Sequence, residues 1–180
     1  ARQRRHAGDV LILAPKSVMP AWCRELEKFG EHAIRVEGTR EQRREALKNR
    51  TAPWKILNYE YVAPFAEELN RHGWNEIICD ESTRIKSRTT GVTRAVLALA
   101  SHVPNRQILT GTPVANNPLD VWPQMLFLSP TVLGFSNYTS FKYHHATFGG
   151  WNAKEIRGYK NLDELQTKIE RCSFRALKAE

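Results

Sequence analysis

Apolar positions along this chain fall into two alternating rhythms. Val10 to Ala14 (VLILA) is a continuous apolar run, the pattern of a strand buried on both faces of a parallel sheet. Ala33 to Val36, Lys55 to Asn58 (KILN), Ile77 to Asp80 and Gln107 to Thr110 have the length and composition of further strands. Between them the period becomes helical. Pro20 opens a helix at its first position, Trp22, Leu26 and Phe29 share one face, and Gly30 ends it. Thr39 and Gln42 form a capping-box pattern for a helix running to about Asn49. Pro64 starts a helix carrying Phe65 and Leu69, and Val92, Val96 and Leu99 mark the inner face of another. Asn161 with Glu164 is the expected cap of a last helix whose apolar face is Leu165, Ile169 and Cys172. The stretch between Thr110 and Asn161 reads as loop and helix.

Strand–helix alternation of this kind predicts an α/β fold, a three-layer α/β/α sandwich on a mostly parallel sheet. The 180 residues suit a single domain, 1–180. Ligands of such sheets bind at the carboxyl ends of the strands. Four polar motifs stand there: Ala14-Pro15-Lys16, Asn58-Tyr59, Asp80-Glu81 and Thr110-Gly111-Thr112.

The net charge of +8, from 27 basic and 19 acidic residues, favours an anionic partner, nucleic acid being the commonest. No apolar run is long enough for a membrane span, and Ala1 to Asp9 is polar and basic, unlike a signal peptide. Cys23, Cys79 and Cys172 are widely spaced and odd in number, which disfavours zinc and disulfides and predicts buried free thiols in a reducing compartment. The expected location is intracellular, cytoplasmic for a bacterial or phage protein and nuclear for a eukaryotic one.

The strongest chemical signal is EIICDES, Glu76 to Ser82. It is an apolar strand ending in two adjacent carboxylates, which repel unless a cation joins them. In P-loop NTPases the first such acid holds Mg²⁺ and the second orients the water that attacks the γ-phosphate. A chance Asp-Glu pair capping the next helix is the alternative, weakened by the LTGTPV run (Leu109 to Val114) that follows. Arg40, Arg43, Arg44, Lys48 and Arg50 read as a solvated basic face more than a DNA site, with Glu41 and Glu45 between them. His144-His145 lacks partners at metal spacing. Trp122, Phe127, Phe135, Tyr138, Phe141 and Tyr143 fit packing over the sheet edge better than base stacking.

These motifs, in this order, resemble the first RecA-like lobe of the Swi/Snf-type DNA-dependent ATPases of helicase superfamily two. VLILAPKSVMPAWCRELEKF (Val10 to Phe29) resembles their motif Ia, KILNYEYV (Lys55 to Val62) motif Ib and DESTRIKS (Asp80 to Ser87) motif II. ILTGTPVANNPLDVWPQMLFLSP (Ile108 to Pro130) resembles motif III, and FRALK (Phe174 to Lys178) the closing basic segment. The resemblance implies ATP and Mg²⁺ as cofactors, with Asp80 holding the metal and Glu81 positioning the attacking water. It implies that Thr110, Gly111 and Thr112 couple the nucleotide site to DNA and to the opposite lobe. It implies that Pro15, Lys16 and Ser17, helped by Asn58, Tyr59 and Lys86, meet the backbone of double-stranded DNA. Amides, hydroxyls and ammonium groups suit phosphates and carry no base code.

The chain departs from the pattern at Ser82-Thr83, where a small residue and His are usual, and at Ala176, where a second Arg is usual. No Gly-x-x-x-x-Gly-Lys-Ser/Thr sequence occurs in it. The expectation is therefore a partial ATP-binding lobe, cut before motif Ia and before the second RecA-like lobe, inactive alone but part of an ATP-driven translocase. Little room for helical insertions points to a compact bacterial or phage type. A non-catalytic nucleic-acid-binding module that has lost its P-loop is the alternative.

Overall fold

The computed structural model describes residues 8–111, 117–152 and 155–174. Five strands form one parallel sheet: β1 (Val10–Leu13), β2 (Ala33–Arg35), β3 (Trp54–Leu57), β4 (Glu76–Asp80) and β5 (Asn105–Leu109), in the order β2-β3-β1-β4-β5. The helices between them are α1 (Met19–Lys28), α2 (Arg40–Lys48), α3 (Ala66–His72) and α4 (Gly91–Ala100). This is the three-layer α/β arrangement that the alternation predicts, and the RecA-like form that the resemblance implies. The Thr39/Gln42 capping box at α2 has both of its hydrogen bonds, and Pro20 lies in the first turn of α1 at its second position, one residue later than read.

The two faces of the sheet bury different partners. Val10, Ile12, Ile56 and Ile78 pack with Met19 and Leu26 of α1. Leu11, Leu13, Leu57, Ile77 and Cys79 face a larger core with Leu47, Leu69, Val96 and Leu99. Strands β1, β3 and β4 are buried almost throughout, the reason their sequences lack alternation. The edge strand β5 does alternate, with Asn105, Gln107 and Leu109 exposed.

After β5 come α5 (Val121–Leu128), α6 (Tyr138–His145), an antiparallel pair β6 (Ala146–Gly149) and β7 (Glu155–Tyr159), and α7 (Leu162–Glu170). The hairpin corrects the reading of this stretch as loop and helix. A second core of Leu119, Trp122, Met125, Phe141, Leu165 and Ile169 binds these elements together, so most of the aromatics are packing residues. Tyr143 instead stays 60% exposed. Three smaller readings also change. Phe29 caps α1 and is exposed, Asn161 sits at φ 54 with no side-chain cap, and Cys172 is exposed while Cys79 alone is fully buried. The Asn161 amide instead donates to the His144 carbonyl at 2.8 Å. Among the described residues, no helix is long and apolar enough to cross a membrane.

The amino end of the sheet is closed by a polar network that the apolar pattern did not announce. His72, stacked on Trp74, meets the Asp9 carboxylate at 2.6 Å, and Arg50 meets the same oxygen at 3.0 Å. Lys55, fully buried, donates to the Ala52 carbonyl, and burial lowers its pKa. Burial also holds His72 and His145 below the ordinary histidine value. An imidazole with a lowered folded pKa takes up its proton more readily in the unfolded chain. The stability it contributes is therefore present above about pH 6.5, and is lost as pH falls from there through the folded value. Glu164, held down to about 2 by Lys168 and His144, acts only in a lower window, as pH falls from the ordinary carboxylate value of 4.5. Melting temperature should fall between pH 7.5 and 5.5, followed by circular dichroism; a flat profile across that interval would contradict this account of the two histidines.

Candidate nucleotide and nucleic-acid site

The register sets the geometry of the site. Leu13 pairs with Leu57 on one side and Cys79 on the other, and Asp80 pairs with Leu109. The segments that follow β1, β3, β4 and β5 therefore emerge side by side at the carboxyl rim. Lys16 and Ser17 are exposed there, Pro15 and Asn58 half-buried, Thr110 half-buried and Gly111 exposed. Asn58 accepts from the Glu60 amide at 3.0 Å, fixing the turn that follows β3. Lys86 is exposed at the end of the short 3₁₀ turn Ser82–Ile85. Thr112 lies outside the described residues.

Asp80 is the last residue of β4 and is half-buried. Its Oδ2 accepts a hydrogen bond from the Trp22 indole at 2.7 Å, across from α1. Among the described residues that indole is the one donor on the carboxylate. Tyr59 donates its hydroxyl to the Asp80 backbone carbonyl at 2.8 Å. Tyr59 is only 4% exposed, and burial raises its phenol pKa. Its side chain thus braces the acid from within the core, with its hydroxyl engaged there. Periodicity marks Trp22 only as part of an apolar helix face; its indole N–H, which needs a partner when part-buried, was the overlooked signal.

Glu81 lies at φ 54, ψ 58, one of two non-glycine residues with positive φ among those described. A long side chain in left-handed backbone costs energy and marks functional turns. The conformation turns the chain sharply out of the sheet and leaves Glu81 exposed beside Asp80. Thr83 donates to Glu81 Oε1 at 3.1 Å. Ser82 points the other way, fully buried, and donates to Gln124 Oε1 of α5 at 2.6 Å. The Gln124 amide then donates to the Asp120 carbonyl at 3.1 Å. The acid pair is thereby tied to α1 by Trp22, to the segment after β3 by Tyr59, and to α5 by Ser82.

A family model of the SNF2-related domain matches residues 1–180. The chain belongs to the SNF2-related domain family. It is similar to the ISWI chromatin-remodeling complex ATPase ISW1 of Saccharomyces cerevisiae, 30% identical over 179 residues, covering 96% of this chain and 15% of that protein. It is similar to the helicase SWR1 of Candida albicans, 32% identical over 148 residues, covering 75% of this chain and 9% of that one. Among solved structures, the Sulfolobus solfataricus SWI2/SNF2 ATPase core in complex with dsDNA superposes with a TM-score of 0.69 at 27% identity. That match covers 91% of this chain and 32% of the solved one. The chain thus spans a small part of these curated relatives and about a third of the solved core.

Within this SNF2-related lobe, the residues present fit a Mg²⁺ ion bound together with phosphates. One carboxylate at a rim, flanked by a second, suits an ion that keeps waters and borrows substrate oxygens. Among the described residues no group of three His, Cys, Asp or Glu could hold a metal unaided.

Substitutions at two positions probe the strain and the clamp. Glu81→Gly should be more stable than Glu81→Ala by about 1 kcal/mol, the cost of a Cβ in left-handed backbone. Trp22→Phe should lose about 1.5–3 kcal/mol, as expected for a hydrogen bond to a charged group. Urea unfolding measures both; equal stability of the two Glu81 variants would remove the strain argument.

Proposed function

We propose that this chain is the working rim of the first RecA-like lobe of an ATP-dependent, double-stranded-DNA translocase. Asp80 would hold Mg²⁺, and Glu81 would orient and activate the attacking water. The metal, when bound with ATP, neutralises charge at the γ-phosphate. Thr110, Gly111 and Thr112 join this site to the DNA and to a second RecA-like lobe. Pro15, Lys16, Ser17, Asn58 and Lys86 engage DNA phosphates without reading bases.

The observation that carries the reading is the strained Glu81 beside an Asp80 held by Trp22 and Tyr59. A structural ion pair needs no such backbone. Support also comes from the direction of the ties, since Trp22 and Tyr59 belong to the units that present Lys16 and Asn58. Bound DNA at those loops shares rigid elements with the metal-holding acid.

This 180-residue chain, with no phosphate-cradling loop in its sequence, should show no measurable ATP hydrolysis. In a protein carrying this lobe together with that loop, Glu81→Gln should lower turnover by roughly 10²-fold or more, in line with loss of general-base catalysis. DNA affinity should be retained. Phosphate release assays with and without DNA decide it; full turnover in the Glu81→Gln protein would overturn the assignment, and DNA binding with no hydrolysis by the unsubstituted protein would favour a non-catalytic binding module.

A further inference from the structure

A concavity of about 210 Å³ opens on the β4–β5 side of the same rim. One wall is the segment after the 3₁₀ turn, Lys86, Ser87, Arg88 and Thr89; the other includes Asp120 and Tyr138. All four residues of the first wall are exposed. The Arg88 guanidinium carbon lies 4.2 Å from the centroid of the Tyr138 ring, which fixes the cation without neutralising it. Among the described residues neither Lys86 nor Arg88 is in an ion pair. Some exposed cations elsewhere are matched, as in Lys28–Glu25, Lys48–Glu45, Arg71–Glu67 and Arg157–Glu155. Ser87 and Thr89 bring hydroxyls 3.3 Å apart. Helix α4 begins just beyond, capped by Thr90 and with no acid in its first turn, so its positive dipole end adds to the field.

We propose that this concavity binds one phosphodiester of the DNA backbone. The inference rests on the DNA reading above and extends it to Ser87, Arg88, Thr89 and Asp120. The charge decides between sources of phosphate. Lys86 and Arg88 against Asp120 leave one net positive charge, which matches the single charge of a phosphodiester. A terminal phosphate of about −1.5 to −2 would meet the Asp120 carboxylate unfavourably. Asp120 also receives the Gln124 amide on its carbonyl, and Gln124 accepts from Ser82 beside Glu81. A phosphate here would sit at the end of a hydrogen-bonded route leading to the acid pair.

The test is fluorescence anisotropy of this chain on a short labelled duplex, titrated with NaCl. Arg88→Ala should weaken binding roughly three- to tenfold and flatten the salt slope by about 1, the signature of one lost phosphate contact. Asp120→Asn should act in the opposite sense and tighten binding. Binding by the wild-type chain that neither change affects would overturn the pocket and leave the DNA reading intact. Absence of binding by the wild-type chain would remove the DNA reading and this inference with it. Inorganic phosphate, titrated at constant ionic strength and followed by NMR, forms the second arm. Arg88-dependent saturation by phosphate with unchanged DNA affinity would mean a free-anion site and overturn the assignment.

Discussion

Parallel pairing in register is the constraint from which the chemistry follows. Because Leu13 lies level with Leu57 and Cys79, and Asp80 with Leu109, four loops distant in sequence end at one height. The register is held by burial on both faces of β1, β3 and β4, where a slip would push apolar side chains against the wrong helices. The same burial explains why Asp80 is half-covered while Glu81, one residue later, is exposed: the strand ends between them.

Around that rim, aromatic groups do the positioning. Trp22 reaches Asp80 from α1 and Tyr59 reaches it from the turn after β3, each with an apolar body in the core and one polar atom on the acid. Ser82 and Gln124 make the corresponding link to α5. Where the Swi/Snf pattern has a histidine after the acids, this chain has Thr83, and its hydroxyl turns back to Glu81. Side-chain links from the acid pair therefore run through Ser82 and Gln124 on one side and Thr83 on the other.

The parallel sheet, the helices with Pro or capping-box starts, and the rim motifs were legible because each has a local signature: VLILA, Pro20, Thr39 with Gln42, Asp80-Glu81. What was not legible depends on neighbours distant in sequence. Tyr59 carries a polar atom after a strand and looks like a ligand contact, yet the core claims it. Phe29 continues a helical face in spacing, but the helix ends one residue earlier and releases it. The β6–β7 hairpin has mostly exposed residues and a register irregularity at Thr147/Phe148, so neither period-2 alternation nor an apolar run announces it. The left-handed Glu81 had no signal at all, since glycine is the usual mark of that conformation and is absent there.

The central claim is that DNA engages the carboxyl rim and that this rim is mechanically joined to Asp80. Two-dimensional ¹⁵N NMR of this chain, titrated with a short duplex, tests it most directly. The account predicts shifts at the amides of Lys16, Ser17, Asn58 and Lys86 and at the Trp22 indole N–H, with the Trp74 indole at the opposite end unmoved. Shifts confined to Arg40, Arg43 and Lys48 on α2, or a rim response that leaves the Trp22 indole still, would contradict it.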